Sequence, residues 1–256
     1  MTHLVRPTAT KRVPMDSMRK TALVAGALYL LTFIAIGTLT LYTPVLKDPA
    51  YILSSGGDTG LRWGALLEVI VALAGIGTAV TLFPVVRRQN EALALGFVTS
   101  RVIEGAMILT GVVSLLSLAT LHQAGVAAGT DSGLLRASGA SLVATYNAAF
   151  LIGQTLMPAT NAVLLGTLMY RSGLVPRIIP TLGLIGGPLM ISSVIGQVIG
   201  INEQISVWSG IALLPIFVWE LALGLWLVLK GFRPSPITSG DTRPVGMSPA
   251  AAVAAG

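Results

Sequence analysis

The chain alternates long apolar segments with short polar ones. Six segments are long enough to cross the roughly 30 Å hydrocarbon core of a bilayer as α-helices. Runs of this length, separated by short loops, predict an all-α fold: a polytopic membrane helix bundle with six transmembrane helices within residues 21–231. The predicted spans are 23–42, 61–86, 93–121, 142–170, 178–199 and 207–229.

The two ends of the chain differ from this pattern. Residues 1–20 are polar, basic and interrupted by prolines, with Met1, Met15 and Met18 as alternative translation starts. Residues 232–256 are rich in Pro, Ala and Ser. Such segments bury too little apolar surface to offset the entropy of ordering, so we expect two disordered tails.

The first apolar run has the position of a secretory signal. A signal usually has a shorter apolar region, followed by a small-x-small cleavage site, whereas this run ends in Tyr42-Thr43-Pro44. The pattern therefore favours a retained helix over a cleaved signal.

Four ionisable residues lie inside the apolar runs. Arg101 and Glu104 are one helical turn apart in the third run, Glu68 is in the second and Glu220 in the sixth. A charge at the centre of a membrane helix costs roughly 2.5 to 3.5 kcal/mol, so such groups usually face the bundle interior and have partners. We expect Arg101 to pair with at least one carboxylate; the alternative is that its guanidinium snorkels to the interface.

Glu68 shares its helix face with small residues. At 100° per residue, Gly64, Ala72, Gly75 and Ala79 all point within about 40° of it. Membrane helices pack closely through small residues. The carboxylate should therefore face other helices, the alternative being that it reaches the headgroups.

The fourth run contains an amide every seven residues: Asn147, Gln154 and Asn161, with Pro158 beside them. Seven residues advance a helix by 700°, so the three amides predict a stripe down one face. The stripe either forms interhelical hydrogen bonds, worth about 0.6 kcal/mol each, or lines a hydrated path.

Two other segments carry structural signals. The prolines and glycines of the fifth run predict a kinked or broken helix, in which Gly183 and Gly187 favour close packing. Residues 122–141 are rich in Gly and Ala and are predicted to form a loop. His122, at its start, is interpreted as a solvated interfacial residue without a metal or catalytic role.

Composition narrows the class of protein. The chain is 54% hydrophobic and 10% charged, with no cysteine and two histidines, which excludes disulfides and cysteine or histidine metal cages. No phosphate loop, zinc-protease motif or hydrolase elbow is present, so no catalytic residue, metal or cofactor is predicted. The net charge of +6 comes from basic residues scattered at the ends of apolar runs, and nucleic acid is not expected as a partner.

The basic residues outside the spans predict orientation. With a cytoplasmic amino terminus, twelve lie in cytoplasmic segments and three, Lys47, Arg62 and Arg136, lie outside. This positive-inside bias predicts a multi-pass protein of the inner (plasma) membrane with both termini cytoplasmic.

The stretch from about Met18 to Phe232 resembles the bacterial membrane family known as domain of unknown function 4386. The resemblance rests on four motifs, which are Gly26-Ala-Leu-Tyr29-Leu-Leu-Thr-Phe33, Arg101-Val-Ile-Glu104, Tyr170-Arg-Ser-Gly-Leu-Val-Pro-Arg177, and Glu220 followed by Leu225-Trp-Leu-Val-Leu-Lys230-Gly-Phe232. It implies six helices and gives weight to the buried charges, but it brings no activity. The two tails extend beyond the compact core of the family.

Two classes of function remain open. In a small-solute or proton-linked transporter, the buried polar groups would line the route; in a structural or partner-binding membrane protein, they would only lock the bundle. Three buried carboxylates face one arginine, so one carboxylate, Glu220 or Glu104 by expectation, should stay protonatable and relay protons. The expected partners are the bilayer and a small solute or proton, with the oligomeric state unknown. The candidate polar centre consists of Glu68, Arg101, Glu104, Asn147, Gln154, Asn161 and Glu220.

Overall fold

The computed structural model describes residues 17–129 and 131–238. Within these ranges the chain is helical and contains no strand. A 3₁₀ turn lies at Tyr51–Leu53 and a π-helical turn at Leu151–Leu156. The α-helices are α1 (Ser17–Thr32), α2 (Ala35–Lys47), α3 (Thr59–Val86), α4 (Glu91–Ala128), α5 (Ser132–Phe150), α6 (Met157–Ser172), α7 (Ile178–Val198) and α8 (Val207–Leu229).

Six helical stretches of the described chain are long and apolar enough to cross a membrane. Helices α1 and α2 together form the first, and α5, the π turn and α6 form the fourth. The predicted all-α bundle with six transmembrane helices is confirmed. The stretches are Ser17–Lys47, Thr59–Val86, Glu91–Gly125, Ser132–Ser172, Ile178–Val198 and Val207–Leu229.

The helices close into a ring. Going round it, α1 packs against α3, α3 against α4, α4 against α6, α6 against α7, α7 against α8, and α8 against α1. Helix α2 packs on α3, and α5 packs on α4. Because α3 and α4 are long and uninterrupted, each contacts both halves of one interrupted span. Helix α3 contacts α1 and α2 of the first span, and α4 contacts α5 and α6 of the fourth.

The two ends of the bundle are distinguished by the turns and chain termini that they hold. We call the end that holds the start of α1 and the end of α8 the terminal end; there Arg19 donates to the carbonyl oxygens of Leu227 at 2.9 Å and Val228 at 2.6 Å. The α3–α4 and α6–α7 turns lie at the same end, because each span crosses the bundle once. The opposite end, which we call the loop end, holds residues 48–58 and the α4–α5 and α7–α8 turns.

The chain after α8 is ordered as far as it is described. The backbone N–H of Arg233 donates to the Leu174 carbonyl at 2.8 Å, and Arg88 donates to the carbonyl of Ile237 at 3.2 Å. This packing corrects the disordered tail expected from residue 232, and Ser17–Lys20 likewise begin α1. The rest of both predicted tails, 1–16 and 239–256, lies outside the described residues.

The first span is interrupted between α1 and α2. The backbone N–H of Phe33 donates to the carbonyl of Leu30, three residues back, at 3.2 Å, which is a 3₁₀ rather than an α-helical bond. The Thr32 hydroxyl donates to the Tyr29 carbonyl at 2.7 Å. In a regular helix this carbonyl would accept from the Phe33 N–H. The apolar pattern predicts one helix here because both halves are equally apolar.

The fourth span is interrupted by the π turn, and Pro158 explains its place. A proline ring collides with the carbonyl four residues earlier, here that of Gln154, and a wider turn relieves the collision. Because a π turn holds about one extra residue, it rotates Asn147 away from the face of Gln154 and Asn161. Asn147 is exposed, so the predicted amide stripe does not run the length of the span.

Two other expectations are corrected. Instead of a loop over residues 122–141, α4 continues to Ala128 and α5 begins at Ser132 after a turn at Gly129, whose φ of 64° is left-handed. The fifth span is predicted to be kinked or broken; a break is wrong, because α7 is one continuous helix with Pro188 inside it. The glycines of α7 allow neighbouring helices to pack closely. A Cβ at Gly183 would lie 2.9 Å from the Trp219 ring, and a Cβ at Gly187 would lie 2.9 Å from the Ala159 carbonyl.

Candidate functional site

Arg101 is buried at the centre of the ring, with 2% of its surface exposed. Its Nη1 lies 3.0 and 3.1 Å from the two oxygens of Glu104. Its Nη2 donates to Glu220 Oε1 at 3.2 Å and to the Tyr29 hydroxyl at 3.0 Å. The predicted pairing is confirmed for two of the three carboxylates, and the snorkelling alternative is wrong.

Further contacts complete this group. The Asn161 side-chain amide donates to Glu104 Oε2. The rings of Tyr29 and Phe97 lie 5.1 and 5.9 Å from the Arg101 guanidinium carbon, within cation–π range. We call Tyr29, Arg101, Glu104, Asn161 and Glu220 the arginine cluster; it links α1, α4, α6 and α8.

A close helix crossing positions two members of the arginine cluster. A Cβ at Gly26 would lie 2.8 Å from both the carbonyl of Gly224 and the backbone nitrogen of Val228, so α1 and α8 meet backbone to backbone. Tyr29 and Glu220 each lie about one turn from this crossing, on α1 and α8. The absence of side chains at the crossing therefore lets both residues reach Arg101.

Glu68 belongs to a second, separate group. It is 1% exposed, which confirms its predicted position on the packed face of α3. Gln154 Nε2 donates to its Oε1 at 3.1 Å, while Oε2 has no hydrogen-bond partner among the described residues. Over residues 17–129 and 131–238, no basic side chain forms an ion pair with this carboxylate.

The Thr38 hydroxyl also approaches Glu68. It donates to the Ala35 carbonyl at 2.7 Å, and its oxygen lies 3.5 Å from Glu68 Oε1. A hydroxyl has only one proton to give. When the Thr38 hydroxyl directs this proton to the Ala35 carbonyl, Thr38 Oγ1 and Glu68 Oε1 face each other as two acceptors. A proton on the Glu68 carboxyl group removes this conflict.

Two buried tyrosines flank the same carboxylate. Tyr42 and Tyr146 are 0% and 2% exposed, and their rings pack edge to face with centroids 5.5 Å apart. Both hydroxyls interact electrostatically with Glu68, and the Tyr42 hydroxyl comes close enough for a weak hydrogen bond to it, but neither makes a hydrogen bond of standard geometry in the described part of the chain. A Cβ at Gly64 would collide with the Tyr42 ring, so that glycine makes its position possible. We call Thr38, Tyr42, Glu68, Tyr146 and Gln154 the Glu68 compartment.

The predicted polar centre is thus two centres at different depths. Gly75 of α3 lies beside Arg101 and is seven residues from Glu68, which corresponds to about 10 Å along the helix. Glu104, Asn161 and Glu220 join Arg101, whereas Gln154 joins Glu68. Asn147 belongs to neither group and instead lines a surface groove between α2, α4 and α5.

A buried polar group at the loop end was not predicted from the sequence. His122 is 4% exposed, with Nδ1 2.9 Å from Asp58 Oδ1 and Nε2 2.7 Å from the Ser54 carbonyl, which corrects the solvated interpretation. Tyr51 and Gln123 also donate to Asp58, each at 3.0 Å. Both imidazole nitrogens face acceptors, so an ionised Asp58 requires an imidazolium. Asp58 lies directly before α3, at the N-cap position. In the sequence this position suggests a helix cap, so it does not point to a contact with the distant His122.

In the chain as described, no group of three or more His, Cys, Asp or Glu side chains could hold a metal ion. The arrangement instead offers an arginine paired through both terminal nitrogens with two carboxylates, and a separate carboxylate, Glu68, without a basic partner.

Comparison with known proteins supports the resemblance seen in the sequence. No curated protein and no solved structure matches the chain. The family model described as "Domain of unknown function (DUF4386)" matches residues 24–231, a region that contains both the arginine cluster and the Glu68 compartment. The chain therefore belongs to the DUF4386 family.

Proposed function

We propose that the protein is a proton-linked or small-solute transporter in which Glu68 takes up and releases a proton. The observation that carries this proposal is a buried carboxylate with one unpartnered oxygen and, within the described ranges, no basic partner. An isolated ionised carboxylate is too costly to bury, and such groups neutralise instead. Protonation also resolves the contact between the Thr38 and Glu68 oxygens, because Glu68 then has a proton to donate.

The role expected for Glu104 or Glu220 fits Glu68 better. Glu104 and Glu220 both bond to Arg101, and displacing either one leaves the guanidinium partly unpaired. The arginine cluster therefore suits the structural alternative, in which buried charges lock four helices together. Glu68 has no such engagement to break.

The interrupted spans also support transport. The break after Thr32 lies between Tyr29 and Thr38, and the π turn, which carries Gln154, lies between Tyr146 and Asn161. In each interrupted span one half joins the arginine cluster and the other joins the Glu68 compartment. Discontinuous helices of this kind form the binding sites of many transporters. The pair α2 and α5 can thus move relative to a fixed arginine cluster while α3 and α4 stay whole.

Infrared difference spectra between about pH 5 and pH 9 test proton binding without a known substrate. We expect a protonated-carboxyl band that changes with pH in the parent protein and is absent in Glu68→Gln, which keeps the shape and hydrogen bonding of the side chain. Glu91→Gln is the matched control, since Glu91 is exposed at the start of α4. Vesicles containing the protein and an internal pH dye should then show flux that Glu68→Gln abolishes.

Two outcomes contradict this assignment. A pH-sensitive carboxyl band that survives in Glu68→Gln and disappears in Glu104→Gln or Glu220→Gln would place the proton in the arginine cluster. A spectrum without any such band would leave only the structural alternative.

We also propose that the terminal end faces the cytoplasm of a cell whose inner (plasma) membrane holds the protein. The support is the twelve-to-three distribution of basic residues outside the spans. In this cysteine-free chain, an impermeant thiol reagent applied to intact cells should label Ser55→Cys and Ser132→Cys but not Glu91→Cys. All three positions are exposed, and labelling of all three in lysed cells controls for accessibility. The reverse pattern in intact cells would invert the orientation.

A further inference from the structure

We propose that the Glu68 compartment binds a monovalent metal cation of the sodium type, in competition with the proton on Glu68. This inference rests on the proposed function and names the substrate class of the same site. The compartment would then exchange one positive charge for another.

The first support is the set of buried oxygens without partners. Glu68 Oε2 and the hydroxyls of Tyr42 and Tyr146 all lack a hydrogen bond of standard geometry within the described residues, and Tyr42 makes only a weak contact with Glu68. Leaving such a group unpaired in the interior is unfavourable, and native structures contain few of them unless a water or an ion is present. A single proton on Glu68 gives a donor to one of these oxygens, whereas a bound cation with its water contacts several at once.

The second support is the kind of atom that surrounds the Glu68 carboxylate. The carboxylate, phenol and threonine side chains present oxygen atoms, and Gln154 turns its N–H to Glu68 Oε1 at 3.1 Å. Carboxylate, hydroxyl and amide oxygens are the ligands that hard cations prefer. The site offers no thiolate or imidazole, which excludes preference for a softer metal.

The third support is charge. Arg101 lies about 10 Å away along the bundle and is engaged by Glu104 and Glu220. At the loop end, the charge of Asp58 faces His122. Glu68 is therefore one negative charge without a basic partner, and a single carboxylate balances a monovalent rather than a divalent ion. An anion or an apolar guest would leave its charge uncompensated.

The tyrosines also give the compartment a closed side. Gly64, which contacts Tyr42, lies about one turn from Glu68 on the loop-end side of α3. Beyond the two rings, Leu61, Leu115 and Leu118 fill the space with apolar side chains. Apolar packing therefore closes the compartment towards the loop end.

Thermal unfolding of the purified protein in detergent tests the inference. At about pH 8.5, NaCl should raise the unfolding temperature above that in choline chloride of equal ionic strength; at about pH 5.5 the increase should shrink, because protons occupy Glu68. Glu68→Gln should lose the sodium-specific increase, and Glu91→Gln should keep it. Tyr42→Phe and Tyr146→Phe should each raise the NaCl concentration needed for half of the effect several-fold.

The outcomes separate this inference from the proposed function. Equal unfolding temperatures in NaCl and choline chloride at both pH values would overturn the cation site and leave water as the guest, while the carboxyl band of Glu68 could persist. A sodium effect that survives in Glu68→Gln would move the cation elsewhere and also overturn the inference. A sodium effect lost in Glu68→Gln, without any pH-sensitive carboxyl band, would support the cation and contradict the proton.

Discussion

Replacement of Arg101 by alanine is expected to lower the free energy of unfolding by about 3 to 5 kcal/mol. The change leaves Glu104 and Glu220 buried without their basic partner and removes the donor to the Tyr29 hydroxyl. It therefore loosens α1 and α8 from α4 as well as adding an uncompensated charge. Thermal unfolding in detergent, followed by circular dichroism, measures the loss.

Three variants make the Arg101 result specific. Arg101→Ala combined with Glu104→Gln should recover part of the loss, because one of the two abandoned carboxylates is then neutral. Arg101→Lys should be intermediate, since an ammonium lacks the planar fork that holds two carboxylates at once. Arg62→Ala, at an exposed position, should leave the unfolding temperature unchanged. An unaltered temperature in Arg101→Ala would mean that the four helices do not depend on this arginine.

The spans and the pairing of Arg101 were predictable because both follow from local quantities. The length of an apolar run decides whether a helix can cross the bilayer. The cost of a charge in such a run decides that it must find a partner. The small-residue face of α3 was also readable, since a regular helix fixes the direction of every side chain relative to Glu68.

The division into two polar groups was not predictable in the same way. It depends on the direction in which each side chain of the fourth span points around the helix axis. The π turn changes this direction between Asn147 and Asn161. Pro158 was the available signal, but a proline alone does not tell whether a helix kinks, breaks or widens.

The tyrosines of both groups were missed for another reason. In an apolar run, Tyr29, Tyr42 and Tyr146 resemble ordinary core aromatics, and only the tertiary structure shows what their hydroxyls face. The pairing of Asp58 with His122 is hidden similarly, because the two residues are 64 positions apart in the chain.

The helix crossing at Gly26 gives the other large expected effect. Gly26→Ala puts a methyl group 2.8 Å from the Gly224 carbonyl and the Val228 backbone nitrogen, which cannot move aside as a side chain can. Overpacking of this kind costs about 1 to 3 kcal/mol, and moving α1 away from α8 would also draw Tyr29 and Glu220 off Arg101.

Gly37 in the other half of the same span supplies the matched control for Gly26. A Cβ there meets no atom within 4 Å, so Gly37→Ala adds the same methyl group without a collision. Alanine is also the better helix former by about 1 kcal/mol, and this variant should be as stable as the parent or slightly more stable. The two substitutions are chemically identical, so a lower unfolding temperature for Gly26→Ala alone isolates the backbone contact. Equal stability of both variants would show that the α1–α8 crossing tolerates a side chain and does not hold Tyr29 and Glu220 on Arg101.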